Sequence, residues 1–376
     1  MHLFVTLTSR CNLKCSYCYG KCCDDFGSNG GHFGEIDYSL PNDMAYTSSK
    51  LKNFAEKEPL ESVIFYGGEP LIRMDKIREI MDTVPAEKFM IQTNGLLLDT
   101  LEPRYLRRLH TILVSVDGDE SLTDSYRGRG VYRRVIKNTH LIRKRGFKGE
   151  LIARMTVGKQ TRIDEQVWRL LFSKECVFDS VHWQLDAQFW HNDYDPVEFS
   201  RWTLSDYEPH LRNLIDGWIG YMEEQNKVLK IYPLLSVAET LLTGQPTKLR
   251  CGAGWAQFNV QTDGTIVPCP AMSGMKDYYL GNLKDTSPID VSRREITVGL
   301  PCTSCELLWI CGGRCLYSNI TKLWGEEGFK LVCNTVEALV GGIKAVLPRI
   351  QRLIDEGQIS ITDLEYTRFN SCEIIP

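Results

Sequence analysis

The sequence predicts an α/β protein: a parallel sheet with crossover helices, followed by a cysteine-rich module. Three observations predict it. Short apolar, β-rich runs recur at 3–7, 63–66, 89–92, 112–116, 151–157 and 181–185. Helical patterns lie between most of them. The cysteines concentrate at 11–23 and 251–333, with only Cys176 and Cys372 elsewhere. Strands alternating with helices imply parallel pairing through right-handed crossovers.

The elements follow in order. The first run leads straight into Thr8-Ser9-Arg10-Cys11-Asn12-Leu13-Lys14-Cys15-Ser16-Tyr17-Cys18. Residues 21–46 form a glycine-rich, acidic excursion, longer than most loops. The clearest helix spans 131–145, with Val131, Val135, Thr139 and Ile142 on one face. Its basic end, Arg143-Lys144-Arg145, complements the helix dipole. Residues 195–250 read as a helical bridge, with patterns at 202–222 and 234–242 separated by Pro233. The expected division is 1–194 for the sheet domain, 195–250 for the bridge, 251–335 for the cysteine-rich module, and 336–376 for a final helix (335–356) and tail. No internal repeat or low-complexity tract is evident.

The chain of 376 residues has room for a full core and two domains. Its 43% hydrophobic and 24% charged residues are those of an ordinary soluble globular protein. A net charge of −4 gives no general drive toward nucleic acid or anionic lipid. No apolar stretch is expected to span a membrane, and the N-terminus has no signal-peptide pattern. Because the first run starts at residue 3, no separate N-terminal recognition domain is expected. A cytoplasmic location is therefore expected. There, fourteen cysteines point to metal ligation rather than disulfides.

Cys11, Cys15 and Cys18 place three soft thiolates on one short loop, a set suited to an iron–sulfur cluster. Three thiolates leave one iron of a four-iron cluster open to a small molecule. The alternative from the residues alone is a zinc site or a loop of buried thiols. The spacing Cys-x3-Cys-x-Tyr-Cys resembles the radical S-adenosylmethionine (SAM) superfamily. That resemblance implies a partial (β/α)6 barrel, SAM on the open iron, and reductive cleavage to a 5′-deoxyadenosyl radical that takes hydrogen from a substrate. Barrel-type active sites lie at the C-terminal strand ends, where these motifs fall.

Gly67-Gly68-Glu69-Pro70 follows the second run and resembles the superfamily's amino-group motif. Glycines there allow close backbone approach to a ligand, and Glu69 offers a carboxylate. By the same resemblance Asn94, Ser115, Asp117, Arg127 and Arg154 are expected to contact the ribose and carboxylate of SAM, and the backbone of Tyr17 its adenine. An arginine fork suits the carboxylate. A charged residue inside an apolar strand, as Arg154 is, needs a partner in any case.

The second signal is Cys302-x2-Cys305-x5-Cys311-x3-Cys315, then Cys333, preceded by Cys251 and Cys269. Cys-x2-Cys is also a zinc-ribbon element. The order resembles the SPASM auxiliary-cluster module of peptide-modifying radical enzymes. The resemblance assigns Cys302, Cys305, Cys311 and Cys333 to a distal cluster, and Cys251, Cys269 and Cys315 to a proximal one. Three four-iron clusters are thus expected. The proximal one lacks a fourth cysteine, which leaves an open iron or a ligand from elsewhere in the chain. Sulfatase-maturing members carry a basic aspartate after the cysteine matching Cys269, whereas this chain has Pro270.

Other residues carry weaker signals. Cys22 and Cys23 are either loop thiols or contacts to substrate or a redox partner. Gln184 is expected to face the cavity and Trp183 to pack in the core. Asp186 is a turn residue or a substrate contact. The apolar tail 371–376 is expected to dock. The resemblance implies a peptide-modifying oxidoreductase that forms a thioether or carbon–carbon crosslink, with a peptide or small-protein substrate and a ferredoxin- or flavodoxin-like electron donor. Side-chain oxidation and a non-catalytic electron-transfer protein are the alternatives.

Overall fold

A computed structural model describes residues 1–18, 34–186 and 194–370. Cys22, Cys23, Cys372 and the tail 371–376, considered above, lie outside these residues.

In chain order the elements are β1 (His2–Thr8), α1 (Ser48–Ala55), β2 (Leu60–Gly67), α2 (Met74–Thr83), β3 (Ala86–Thr93), α3 (Pro103–Leu106) and β4 (Leu109–Ser115). Then come α4 (Glu120–Arg127), α5 (Val131–Lys144), β5 (Glu150–Val157), α6 (Ile163–Phe172) and β6 (Ser180–Leu185). The second half holds α7 (Pro196–Trp202), α8 (Glu208–Gln225), β7 (Lys230–Ile231), α9 (Tyr232–Thr243), β8 (Gln257–Val260), β9 (Thr265–Val267) and β10 (Gly281–Asn282). It ends with α10 (Pro288–Ser292), α11 (Leu308–Cys311), α12 (Leu316–Thr321) and α13 (Gly325–Asp355). All six predicted runs are strands, β1 to β6, and the mostly parallel α/β architecture stands as expected.

The chain forms two compact units that interleave in sequence. The first comprises 1–116, 123–152 and 252–297; the second comprises 117–122, 153–251 and 298–376. The segment 251–335 is thus shared between them.

In the first unit β1 is central. It pairs in parallel with β2 on one side and β8 on the other. β2 pairs with β3 and β3 with β4, all in parallel, while β8, β9 and β10 form an antiparallel meander. Near-continuous apolar runs such as Val63-Ile64-Phe65 are wholly buried, as strands covered on both faces must be. α5 buries Val131, Val135, Thr139 and Ile142, the predicted face. The end of the long excursion is not a free loop. Ile36 bridges Met275, Asp37 N donates to Gly274 O (2.7 Å), and Tyr279 Oη donates to Asp37.

The second unit contains β6 paired in parallel with β7, and a helical layer of α7, α8, α9 and α13. Four expectations change here. Pro233 does not separate two helices. It lies in the first turn of α9, where the missing N–H is of no consequence. The predicted 202–222 helix is α7 and α8 joined by a π-helical turn at Thr203–Tyr207. The last helix starts at Gly325 rather than 335, so it carries Cys333. α13 is also long and apolar enough to cross a membrane by length and composition, contrary to the expectation of no such stretch. Its stripe of Val332, Val336, Leu339, Val340, Ile343, Val346, Ile350 and Leu353 is buried at helical spacing. It packs on α8 and α9, and Arg349 forks onto Glu223 of α8.

Candidate functional site

The cysteine loop and Gly67-Gly68-Glu69-Pro70 lie against each other in the first unit. Gly68 N donates to Thr8 O (2.8 Å) and Glu69 N to Arg10 O (2.9 Å). A Cβ on Gly67 would stand 2.2 Å from Thr8 O, and one on Gly68 would stand 2.3 Å from Arg10 O. Gly67 also has φ +152°, disfavoured for any side chain. These glycines therefore admit the chain's own backbone at the start of the cysteine loop. The sequence pointed to close approach, but not to this partner.

Glu69 is fully buried. Oε1 accepts from Leu71 N (3.0 Å) and Thr93 Oγ1 (2.8 Å), and Oε2 from Asn94 N (2.8 Å). Burial pushes its carboxyl up to about 7, against the pull of these donors. Its carboxylate joins the ends of β2 and β3 rather than standing open beside a ligand. Asn94 Nδ2 donates to Asn12 Oδ1 (2.7 Å) and lies 3.8 Å from Cys11 Sγ, so the end of β3 reaches the cysteine loop. Leu13 N lies 3.4 Å from the same sulfur. Cys11 is exposed, Cys15 buried and Cys18 half-buried. Tyr17 rests on Tyr126 (centroids 5.3 Å) and under the Arg127 guanidinium (5.3 Å), while Ser16 N donates to Tyr126 O (2.8 Å). Arg127 closes α4 and is buried. Ser115 ends β4, half-buried. Asn12 and Thr93 were missed in the sequence, although each adjoins a motif residue.

In the second unit Asp117 is buried and its Oδ1 accepts from Thr156 N (2.9 Å), so one oxygen is committed to the backbone. Arg154 Nη2 donates to Gln184 Oε1 (2.8 Å), while its Nε is buried without a partner among the described residues. A half-used guanidinium fork fits a carboxylate ligand. Trp183 is fully buried and donates to Tyr207 Oη (3.1 Å), as its core assignment requires.

The second unit also holds a cavity of about 470 Å³ lined by Cys302, Cys305, Cys311 and Cys333 together with Arg314 and Lys322. Cys315 is not on its wall; it precedes α12. Around a single zinc at 2.3 Å, thiolates stand about 3.8 Å apart. Among the described residues no three His, Cys, Asp or Glu side chains form a single-ion site. The four thiols line one cavity whose volume has room for a multi-atom centre. Burial and then the neighbouring thiols push Cys333 up to about 12, and burial raises Cys302 and Cys311 as well. Only a cation in their midst would let all four exist as thiolates. Asn319 Nδ2 lies 3.4 Å from Cys302 Sγ. Beside Cys251, buried Arg250 donates to Ile310 O, Ser236 O and Thr240 Oγ1, which fixes this segment to α9 and α11. The sequence reading passed over Arg250, Arg314 and Asn319, which have no spacing signature.

Fold and sites define an α/β protein with two cysteine centres, one on the β1 loop and one under α13. Residues 5–171 match the Radical SAM superfamily, and residues 251–306 match the iron–sulfur cluster-binding SPASM domain. The chain thus carries a Radical SAM domain and a SPASM domain, and these modules imply 4Fe–4S clusters and SAM. It is 23% identical over 339 residues to a "Cysteine-type anaerobic sulfatase-maturating enzyme" of Clostridium perfringens (strain 13 / Type A), covering 82% of this chain and 86% of that protein. The structure of native anSMEcpe with bound AdoMet and Cp18Cys peptide matches with a TM-score of 0.65 at 18% identity, over 92% and 99% of the two chains. Streptococcus suis SuiB bound to precursor peptide SuiA matches with a TM-score of 0.53 at 18% identity, over 84% and 71%.

Proposed function

We propose that this chain is a peptide-modifying radical SAM oxidoreductase that installs an intramolecular crosslink, thioether or carbon–carbon, in a peptide or small protein. The observation that carries the reading is the contact of Cys11, Asn94 and Gly67–Glu69 at one end of the parallel sheet. When bound, a four-iron cluster and SAM supply an electron and a hydrogen-abstracting radical. The protein's part is position, electronics and exclusion of water.

Cys11, Cys15 and Cys18 would hold the first cluster, and the Gly67-Gly68-Glu69-Pro70 segment packed against their loop would receive the cofactor amino group. Glu69 and Asn94 fix that arrangement. Arg154, whose fork Gln184 holds on one side, would suit the cofactor carboxylate, and Ser115, Asp117, Arg127 and Tyr17 would be its further contacts by the resemblance. Cys302, Cys305, Cys311 and Cys333 hold a fully ligated cluster. A third cluster, with one open iron, rests on the order of Cys251, Cys269 and Cys315 in the sequence. The peptide class is supported by the structural neighbours bound to peptides. A ferredoxin- or flavodoxin-like protein in the cytoplasm delivers the electrons.

Oxidation of a single side chain is the second reading, favoured by the sulfatase-maturating relative. Against it, Pro270, which opens the turn Pro270–Met272, carries no proton-accepting side chain. The test is anaerobic reconstitution followed by incubation with SAM, reductant and candidate peptides. The reading expects about twelve irons per chain, 5′-deoxyadenosine, and a peptide lighter by two hydrogens. A peptide aldehyde would establish the second reading instead. Zinc in place of iron would overturn both.

A further inference from the structure

α5 presents a stripe of cations to solvent. Arg133, Lys137 and Lys144 are spaced by four and seven residues, which places them on one helical face, away from buried Val135 and Ile142. Exposed Arg129 precedes the helix. Exposed Arg107 lies at its other end, with Cδ 4.0 Å from where a Cβ on Gly146 would stand. The nearby carboxylates are already engaged. Asp99 pairs with Arg134, Asp82 pairs with Arg108, and Asp124 accepts from the Gly130 and Tyr132 amides. Arg107, Arg129, Lys137 and Lys144 have no ion-pair partner among the described residues. Residues 103–150 carry twelve Lys and Arg against five Asp and Glu, in a chain of net charge −4. This face is opposite in sign to the molecule that bears it.

The stripe also has a defined starting point. Tyr126, three residues before Arg129, accepts from Ser16 N through its carbonyl and sets its ring at a tilt against Tyr17, between Cys15 and Cys18. The cationic face therefore begins at the loop that must receive electrons, and Cys11 of that loop is exposed. The fourteen residues of α5 span about 21 Å. A carrier of ~100 residues has a radius of gyration of about 13 Å, so the stripe matches one face of a small protein.

We propose that the α5 stripe of Arg129, Lys137 and Lys144 is the docking surface for a small acidic ferredoxin that reduces this enzyme. The inference rests on the radical SAM reading and adds the partner and its place. In each encounter the ferredoxin loses one electron and the enzyme gains one, with no proton transferred. Complementary charge steers such transient encounters and makes them sensitive to salt.

The test compares wild type with the triple variant Arg129→Glu/Lys137→Glu/Lys144→Glu, and with the milder Lys137→Gln/Lys144→Gln. Binding of dye-labelled reduced ferredoxin is followed by anisotropy across a salt series, and SAM cleavage is driven by either ferredoxin or dithionite. The triple variant should bind ferredoxin at least about tenfold more weakly, with a flattened salt dependence. Its dithionite-driven cleavage should be unchanged, and the Gln variant should be intermediate. Unchanged ferredoxin affinity would overturn the proposal. So would a peptide KM that rises under dithionite, because the face would then serve the substrate. Absence of dithionite-driven cleavage in wild type would instead overturn the functional reading beneath it.

Discussion

Glu69 spans two strand ends with a single carboxylate, and each oxygen faces a donor. Glu69→Gln keeps the bonds from Leu71 and Thr93 but turns an amide N–H toward the Asn94 N–H. Two opposed donors in a buried site cost about 1–3 kcal/mol. Thermal unfolding should show that loss, and SAM affinity should fall at least about tenfold in equilibrium dialysis. Cys15→Ala should abolish SAM cleavage, measured as 5′-deoxyadenosine; retained cleavage would contradict the cluster assignment. His2 illustrates a different residue effect. Its ring bonds Ser62 Oγ (2.9 Å), and burial lowers its pKa to about 4, with Glu61 pulling the other way. The unfolded chain therefore binds more protons than the folded one below about pH 6.5, and stability falls as the medium is acidified. From about pH 7.5 to about pH 5.5 this term removes about 1 kcal/mol. Urea unfolding of His2→Asn should lack that part of the slope.

At the scale of elements, β1, β2 and the cysteine loop meet through two glycines with no room for a methyl group. Gly68→Ala would push on backbone carbonyls of Ser9 and Arg10, which have no flexible end to yield. The expected result is selective loss of the first cluster. Iron should drop by about four per chain, cleavage should vanish, and the remaining iron should persist in the spectrum. α13 works differently. It carries Cys333 near one end and a buried apolar stripe along its length. Leu339→Ala in that stripe should destabilise by about 2–5 kcal/mol, measurable as a lowered melting temperature.

At the scale of the whole molecule, the sheet and the cysteine-rich module are not separate beads. Parallel pairing of His2 with Gln257 through Val5 with Val260 places β8 beside the first strand of the chain. A chain ending at residue 250 would expose that edge of β1, and an open apolar edge invites aggregation. Such a truncation should give aggregates on size exclusion rather than an independent barrel domain. A compact monomer with native circular dichroism would refute this account of the fold.

Local chemistry made much of this protein legible in its sequence. The six strand runs, the α5 face, the two cysteine groups and Gly67–Pro70 all announce themselves through short-range pattern, because periodicity and thiol spacing are properties of neighbouring residues. Helix boundaries were less visible. Gly325 stands at the start of α13 with φ +69°, a left-handed conformation that glycine adopts without strain, so backbone geometry sets that boundary. Tertiary structure alone decided what meets across long separations: Glu69 with Thr93 and Asn94, Gly68 with Arg10, Cys333 with Cys302, and β8 with β1. Those contacts depend on where the backbone returns in space, and no window of sequence carries that information.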